Sequence, residues 1–226
     1  ISRGESVAVL SEGDVLREYA EASLSAASRA GAKVIDVNLA VEESSTASER
    51  IANVGKNPLS DHPRALQLCC DADIVIDHML LLFSKEQIAM QKAGSRVLLV
   101  VEPLEILERL FPNKELRRRV ETADRRLRQA KTLHFTNAAG TDVTYQLGNK
   151  PTLTEYGYTA TAGRWDHWPG GFLATLAEDK GVNGRVVMDK DDIIYPLKRF
   201  VASPIEFIIE EGMVIEVNGG EDAGIL

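Results

Sequence analysis

A chain of 226 residues can bury one large core or two small ones. Its net charge of −8 argues against nucleic acid as the main partner, because phosphate binding calls for a basic face. No apolar run is long enough to span a bilayer, and Ser2-Arg3-Gly4-Glu5 leads into no signal-peptide core, so a cytoplasmic setting is the expectation.

Taken in order, Ser6 to Leu10 is a short apolar run closed by Ser11, Glu12 and Gly13, which predicts a buried strand. From Asp14, the residues Val15, Leu16, Tyr19, Ala22, Ala26 and Ala27 recur at helical spacing until Gly31, and Ala32 to Val37 predicts a second strand. Strand, helix and strand in this compass make a right-handed βαβ unit. Val41 to Pro63 is polar, with a turn signal at Asn57-Pro58-Leu59-Ser60. Arg64 to Cys70 predicts a short helix, and the adjacent Cys69 and Cys70 predict buried thiols, neither bridged nor zinc-bound. Ala72 to Asp77 reads as a third strand, Lys85 to Ala93 as a helix stopped by Gly94, and Arg96 to Val101 as a fourth strand broken by Glu102-Pro103. Leu104 to Ala130 is mostly helical, interrupted at Phe111-Pro112-Asn113. Its arginines 117, 118, 119, 125, 126 and 128 alternate with acids and read as a solvated or oligomer-facing face.

Near-continuous apolar strands alternating with helices predict an α/β, Rossmann-like parallel sheet over residues 1–130. Ligands of such sheets lie at the carboxyl ends of the strands, where His78 and Glu102 fall. The plain alternative for His78 is a loop histidine of no chemical consequence. Leu10-Ser11-Glu12-Gly13-Asp14 carries one glycine and two acids where a dinucleotide fingerprint would need three glycines, so no nucleotide is expected. From Lys131 the pattern changes to alternation. Leu133 to Leu147 predicts a hairpin, Arg185 to Met188 a strand after Asn183-Gly184, and Ile205 to Val217 a further hairpin. Residues 131–226 are therefore predicted to be a β-rich α+β domain. Residue 1 is Ile, and the last residues run from a Gly-rich turn into a fresh apolar start, so a fragment of something longer, cut at the C-terminus, is expected.

Thr159 to Asp189 holds both tryptophans and the densest polar cluster: Arg164, Trp165, Asp166 and His167 precede Trp168-Pro169-Gly170-Gly171. Proton-accepting groups between aromatic faces, beside a turn that lets the backbone come close to a ligand or another strand, suit a small aromatic ligand. A packed corner uses the same residues, with the histidine bonded to a carbonyl and the tryptophans in the core. Glu155 and Tyr156 fall one turn-like segment earlier and can reach the same pocket as His167, where Glu155 can hold a proton or fix the imidazole tautomer; its alternative is a solvent-facing strand carboxylate. His62, His78, His134 and His167 are scattered and Asp166-His167 are mere neighbours, so no metal site can be assembled from these residues. No G-x-S-x-G elbow supports a serine hydrolase.

Ala139-Gly140-Thr141-Asp142-Val143-Thr144-Tyr145, then Pro169-Gly170-Gly171-Phe172, then Val182-Asn183-Gly184-Arg185-Val186-Val187 resembles the thermophilic-type metallo-aminopeptidases. In those peptidases an acidic metal ligand follows Pro-x-Gly, where this chain has Phe172. The Trp-Asp-His-Trp-Pro-Gly-Gly version is similar to a branch of the same superfamily, the 2,5-dihydroxypyridine 5,6-dioxygenases. That resemblance implies Fe(II)-dependent opening of a pyridine ring by O2, giving N-formylmaleamate in nicotinate breakdown. It implies a homo-oligomer, and iron ligands in the part that follows Leu226. It also implies His167 and Glu155 as acid/base residues, Trp165 and Phe83 as walls of a small N-heterocyclic substrate, Arg164 as partner of a substrate carboxylate or oxyanion or else packed on Trp165, and His78 beside the substrate. The alternatives are a leucyl-type metallo-aminopeptidase or a non-catalytic fragment.

Overall fold

β1 (Ser6–Glu12) lies between two neighbours of its sheet because it is apolar on both faces. Val7, Ala8, Val9 and Leu10 are all wholly buried, the pattern of a covered parallel strand. In the computed structural model, which describes residues 1–40, 57–195 and 197–226, α1 (Arg17–Arg29), β2 (Lys33–Leu39), α2 (Pro63–Asp71), β3 (Ile74–Asp77), α3 (Lys85–Ala93), β4 (Arg96–Leu99), α4 (Leu104–Arg109) and α5 (Lys114–Gln129) follow. Next come β5 (Thr132–Thr136), β6 (Asp142–Gln146), β7 (Thr152–Glu155), β8 (Trp165–His167), β9 (Phe172–Thr175) and β10 (Val182–Met188). The last strands are β11 (Ile193–Ile194), β12 (Arg199–Phe200), β13 (Ile205–Glu210) and β14 (Met213–Gly219). The polar stretch read from Val41 lies, as far as Lys56, outside the described residues.

Two compact units result, one of Ile1–Glu121 with Thr154–Phe172, the other of Thr122–Leu153 with Leu173–Leu226. The first holds a parallel sheet of order β2-β1-β3-β4-β8. Strand order reverses between β1 and β3, the switch point beside which ligands of open α/β sheets bind. Val7 and Val9 of β1 and Ile74 and Ile76 of β3 pack with Ala20 and Ala27 of α1, joined by Leu107 and Trp168. The α/β reading of the sequence is borne out, but this division differs from a single break near residue 130. The residues from Thr154 to Phe172 return to the first unit because β8 adds to its sheet in parallel, beside β4.

The second unit is built on an antiparallel sheet of order β14-β13-β10-β6-β5. Its hairpins turn at Gly140 and at Glu211-Gly212, all in the left-handed region that glycine adopts without steric cost. Ile194, Val201 and Ile205 form a small core with Met188, Phe207 and Ala223. The α5 arginines are paired along the helix, Arg117 with Glu121, Arg118 and Arg119 with Glu115, and Arg128 with Asp124. Both cysteines are free, and burial pushes the Cys69 thiol up to about 12. Among the described residues no helix is long and apolar enough to cross a membrane.

The Pro169-Gly170-Gly171 turn follows a cis Trp168–Pro169 bond and meets another segment rather than open space. A side chain at Gly170 would run into the backbone of Tyr156 and Gly157, so glycine here permits a close backbone approach. Gly170→Ala is expected to cost about 1–3 kcal/mol, the range for overpacking a filled site. A urea titration checks this, and an unchanged midpoint would contradict the close approach.

Candidate active site at the carboxyl ends of the parallel strands

The strand registers place Leu10, Asp77, Leu99 and His167 on one rung across β1, β3, β4 and β8. That rung lies at the carboxyl end of the sheet, where His78 follows β3, Glu102 follows β4, and His167 closes β8. Alternation along β8 sends Trp165 and His167 to one face and Asp166 to the other. The Trp165 and His167 rings lie nearly parallel, 25° apart with centroids 6.4 Å distant.

His167 stands between two carboxylates. Its Nδ1 is 3.4 Å from Glu155 Oε2 and its Nε2 is 3.8 Å from Glu102 Oε1. Nε2 is buried and makes no hydrogen bond. The carbonyl-bonded histidine of a plain packed corner is not what the chain builds here. The side chains of His167 and Glu155 are mostly covered, at 19% and 14% exposure, while that of Glu102 is 39% exposed. An imidazole whose Nδ1–H is held by a carboxylate presents a free lone pair at Nε2, the arrangement of a general base.

Asp166 fixes this pair in place. It is wholly buried, and its Oδ1 accepts from the backbone N–H groups of Tyr156, Gly157 and His167, each at 2.8 Å. Its Oδ2 accepts from both Nε and Nη2 of Arg164, which also donate to the carbonyls of Tyr158 and Thr154. The guanidinium lies 4.0 Å from the centre of the Tyr156 ring. One ion pair thus ties the segment carrying Glu155 to the strand carrying His167.

Several expected roles change on this geometry. Arg164, expected to hold a substrate anion or to pack on Trp165, is committed to Asp166 and Tyr156. His78 is buried with both nitrogens occupied, Nδ1 donating to the Val100 carbonyl at 2.7 Å and Nε2 bonded to Ser23 Oγ at 3.1 Å. Burial pushes its pKa down, against the carbonyl bond, and both ring nitrogens are taken up by partners within the protein. Phe83, expected to wall a ring, is 62% exposed on a left-handed backbone. Trp165 is buried with its Nε1 unbonded.

Asp77 was not foreseen. It is wholly buried after β3, and its oxygens accept from the N–H groups of Met79 and Leu81 at 2.7 and 2.9 Å, shaping the loop that leads to Phe83. Burial raises its pKa to about 6, against the pull of those amides, of Leu80 and of His167. Among the described residues no three His, Cys, Asp or Glu side chains gather as a metal site. The donors at His167 face the imidazole itself, so these residues do not fit an iron centre and no step is derived through one.

Residues 1–226 match the profile of the family described as NicX: 2,5-dihydroxypyridine 5,6-dioxygenase. The chain belongs to this family. A curated 2,5-dihydroxypyridine 5,6-dioxygenase of Pseudomonas putida KT2440 is 39% identical over 228 residues, covering 100% of this chain and 65% of its own. The solved structure of the 2,5-dihydroxypyridine dioxygenase from that organism superposes with a TM-score of 0.90 at 38% identity, covering 98% of this chain and 64% of that one. Wild-type AmpT from Thermus thermophilus, at 14% identity, superposes with a TM-score of 0.56 over 100% of this chain and 69% of its own, a likeness of fold alone. The chain spans 65% of the length of the curated relative it matches.

Two tests follow from the buried carboxylates. Asp166→Ala leaves Arg164 without its partner and is expected to destabilise the first unit by about 3–5 kcal/mol, read from urea unfolding; a loss under 1 kcal/mol would show the pair to be dispensable. For Asp77, the folded pKa of about 6 lies above the ordinary 3.8, so its contribution to stability is complete below pH 3.8 and is lost as pH rises through 6. The loss is expected to be on the order of 3 kcal/mol. Asp77→Asn should flatten that slope in unfolding measured between pH 4 and pH 7, and a slope equal to wild type would assign it elsewhere.

Proposed function

We propose that the chain forms part of a ring-cleaving dioxygenase that opens 2,5-dihydroxypyridine with O2, and that His167 and Glu155 are its acid/base pair. The observation that carries this reading is the His167 imidazole, backed by Glu155 on Nδ1 and unbonded at a buried Nε2, on the strand-end rung where α/β sheets bind ligands. Membership of the family supports the substrate class.

A ferrous ion, were one bound in the enzyme, would supply the activation of oxygen. The chain's own residues handle the proton and the ring. Glu155 holds the Nδ1–H and so fixes the tautomer. Nε2 then accepts the proton of a ring hydroxyl, making the ring electron-rich enough to be attacked. The buried Trp165 lies nearly parallel to the imidazole, an apolar neighbour of the reacting group. Both oxygen atoms enter the product, so no outside reductant is consumed. A homo-oligomeric state belongs to the same proposal.

The full-length protein loaded with Fe(II) under anaerobic conditions, then given 2,5-dihydroxypyridine and air, is expected to consume O2 as the ultraviolet band of the substrate disappears. His167→Ala is expected to lower kcat by about 10²–10⁴-fold with the fold intact, the range for losing a positioned acid/base group. Wild-type turnover in that variant would remove His167 from the chemistry. No oxygen uptake, with cleavage of a leucyl peptide under cobalt or zinc, would instead assign the chain to the aminopeptidases.

A further inference from the structure

Glu102 has no part in the acid/base pair, yet it is the carboxylate on the free side of His167. Its position is fixed from both directions. Pro103 restricts the backbone of Glu102 to extended conformations, and the Tyr19 hydroxyl donates to the Glu102 carbonyl at 3.2 Å. At the next turn, Trp168 Nε1 donates to the Leu107 carbonyl, joining α4 to the residue after His167. The Glu102 backbone is therefore fixed, and its carboxylate lies 3.8 Å from a buried and unbonded nitrogen.

That gap exceeds a hydrogen bond and closes to one when the partly exposed Glu102 side chain moves by about 1 Å. The two carboxylates also differ in their access to water: Glu155 is enclosed, whereas Glu102 reaches it. Asp77, the other acid acting on His167, is wholly buried and its oxygens serve the Met79 and Leu81 amides. Among the described residues, a proton collected at Nε2 thus has one nearby acceptor that opens to solvent, Glu102.

We infer that Glu102 is the proton outlet of the site, taking from His167 Nε2 the proton removed from the substrate hydroxyl and passing it to bulk water. This rests on the dioxygenase reading of the same site. Under that reading the balance requires an outlet: dihydroxypyridine and one O2 give the N-formylmaleamate anion and one proton, with no other product. The ring O–H bond breaks as the Nε2–H bond forms. Nε2 then releases the proton to Glu102 Oε1, whose side chain swings in to close the gap, and regains its lone pair with Glu155 still on Nδ1. The outlet leaves substrate binding alone and governs turnover.

The test uses Glu102→Gln and Glu102→Asp in the iron-loaded full-length enzyme, with far-ultraviolet circular dichroism confirming the fold. Glu102→Gln is expected to lower kcat by about 10-fold or more with KM within about two-fold, below the full loss expected for His167 because water retains some proton transfer. Added formate or acetate should restore much of the rate, and Glu102→Asp should keep part of it. A Glu102→Gln enzyme with the wild-type kcat overturns the outlet. So does a loss that neither small acids nor Asp repair, which would mark a structural role. Wild-type enzyme that consumes no O2 with dihydroxypyridine would remove the dioxygenase reading and the outlet together, an outcome distinct from an active wild type with an indifferent variant.

Discussion

The Asp166 carboxylate, buried in an ion pair with Arg164, is the interaction on which the site depends. A buried charge is tolerated when its lone pairs are filled, and Asp166 accepts three backbone amides on one oxygen and a forked guanidinium on the other. The amides come from Tyr156, Gly157 and His167, so the same carboxylate sets the path of the chain next to Glu155 and at His167. Glycine at 157 and 170 allows these backbones to approach as closely as that network demands. The opposite face of β8 is thereby free to present the imidazole.

The sheet supplies the rest of the geometry. Parallel strands in register bring Leu10, Asp77, Leu99 and His167 to one level, so residues just beyond that level gather at one end of the first unit. There the chain separates its polar groups by task. Asp77 and His78 are turned inward and fully bonded, shaping the loop after β3 and tying it to β4 and α1. His167, Glu155 and Glu102 retain unfilled bonding capacity. β1 instead ends in the buried Glu12, an acid where an anion would meet repulsion.

Much of this was legible in the residues. Strands β1 to β4 and the helices between them fall close to where apolar runs, glycines and prolines place them, whereas β8, three residues in a polar cluster, carries no such signal. The pairing of Glu155 with His167 was also readable, since a short turn-like segment between them limits how far apart they can lie. Arg164, His78 and Phe83 were placed in the site by residue type and neighbourhood. Type does not say which way a side chain turns: the Val100 carbonyl and Ser23 hydroxyl claimed His78, and Asp166 claimed Arg164. Asp166 itself read only as a neighbour of His167, although strand alternation was a signal that the two point apart.

The sequence by itself determined the α/β class, the absence of a nucleotide fingerprint, the β-rich texture after residue 130, and a family likeness carried by the Trp-Asp-His-Trp-Pro-Gly-Gly run. These are local properties, written in composition and spacing over a few residues. Only the tertiary structure decided that residues 154–172 return to the first unit, that His167 lies on the same rung as Asp77, and that Glu102 faces the free edge of the imidazole. Such facts depend on strand order and register. Those are fixed by hydrogen bonds between segments tens of residues apart, whose partners no local pattern names.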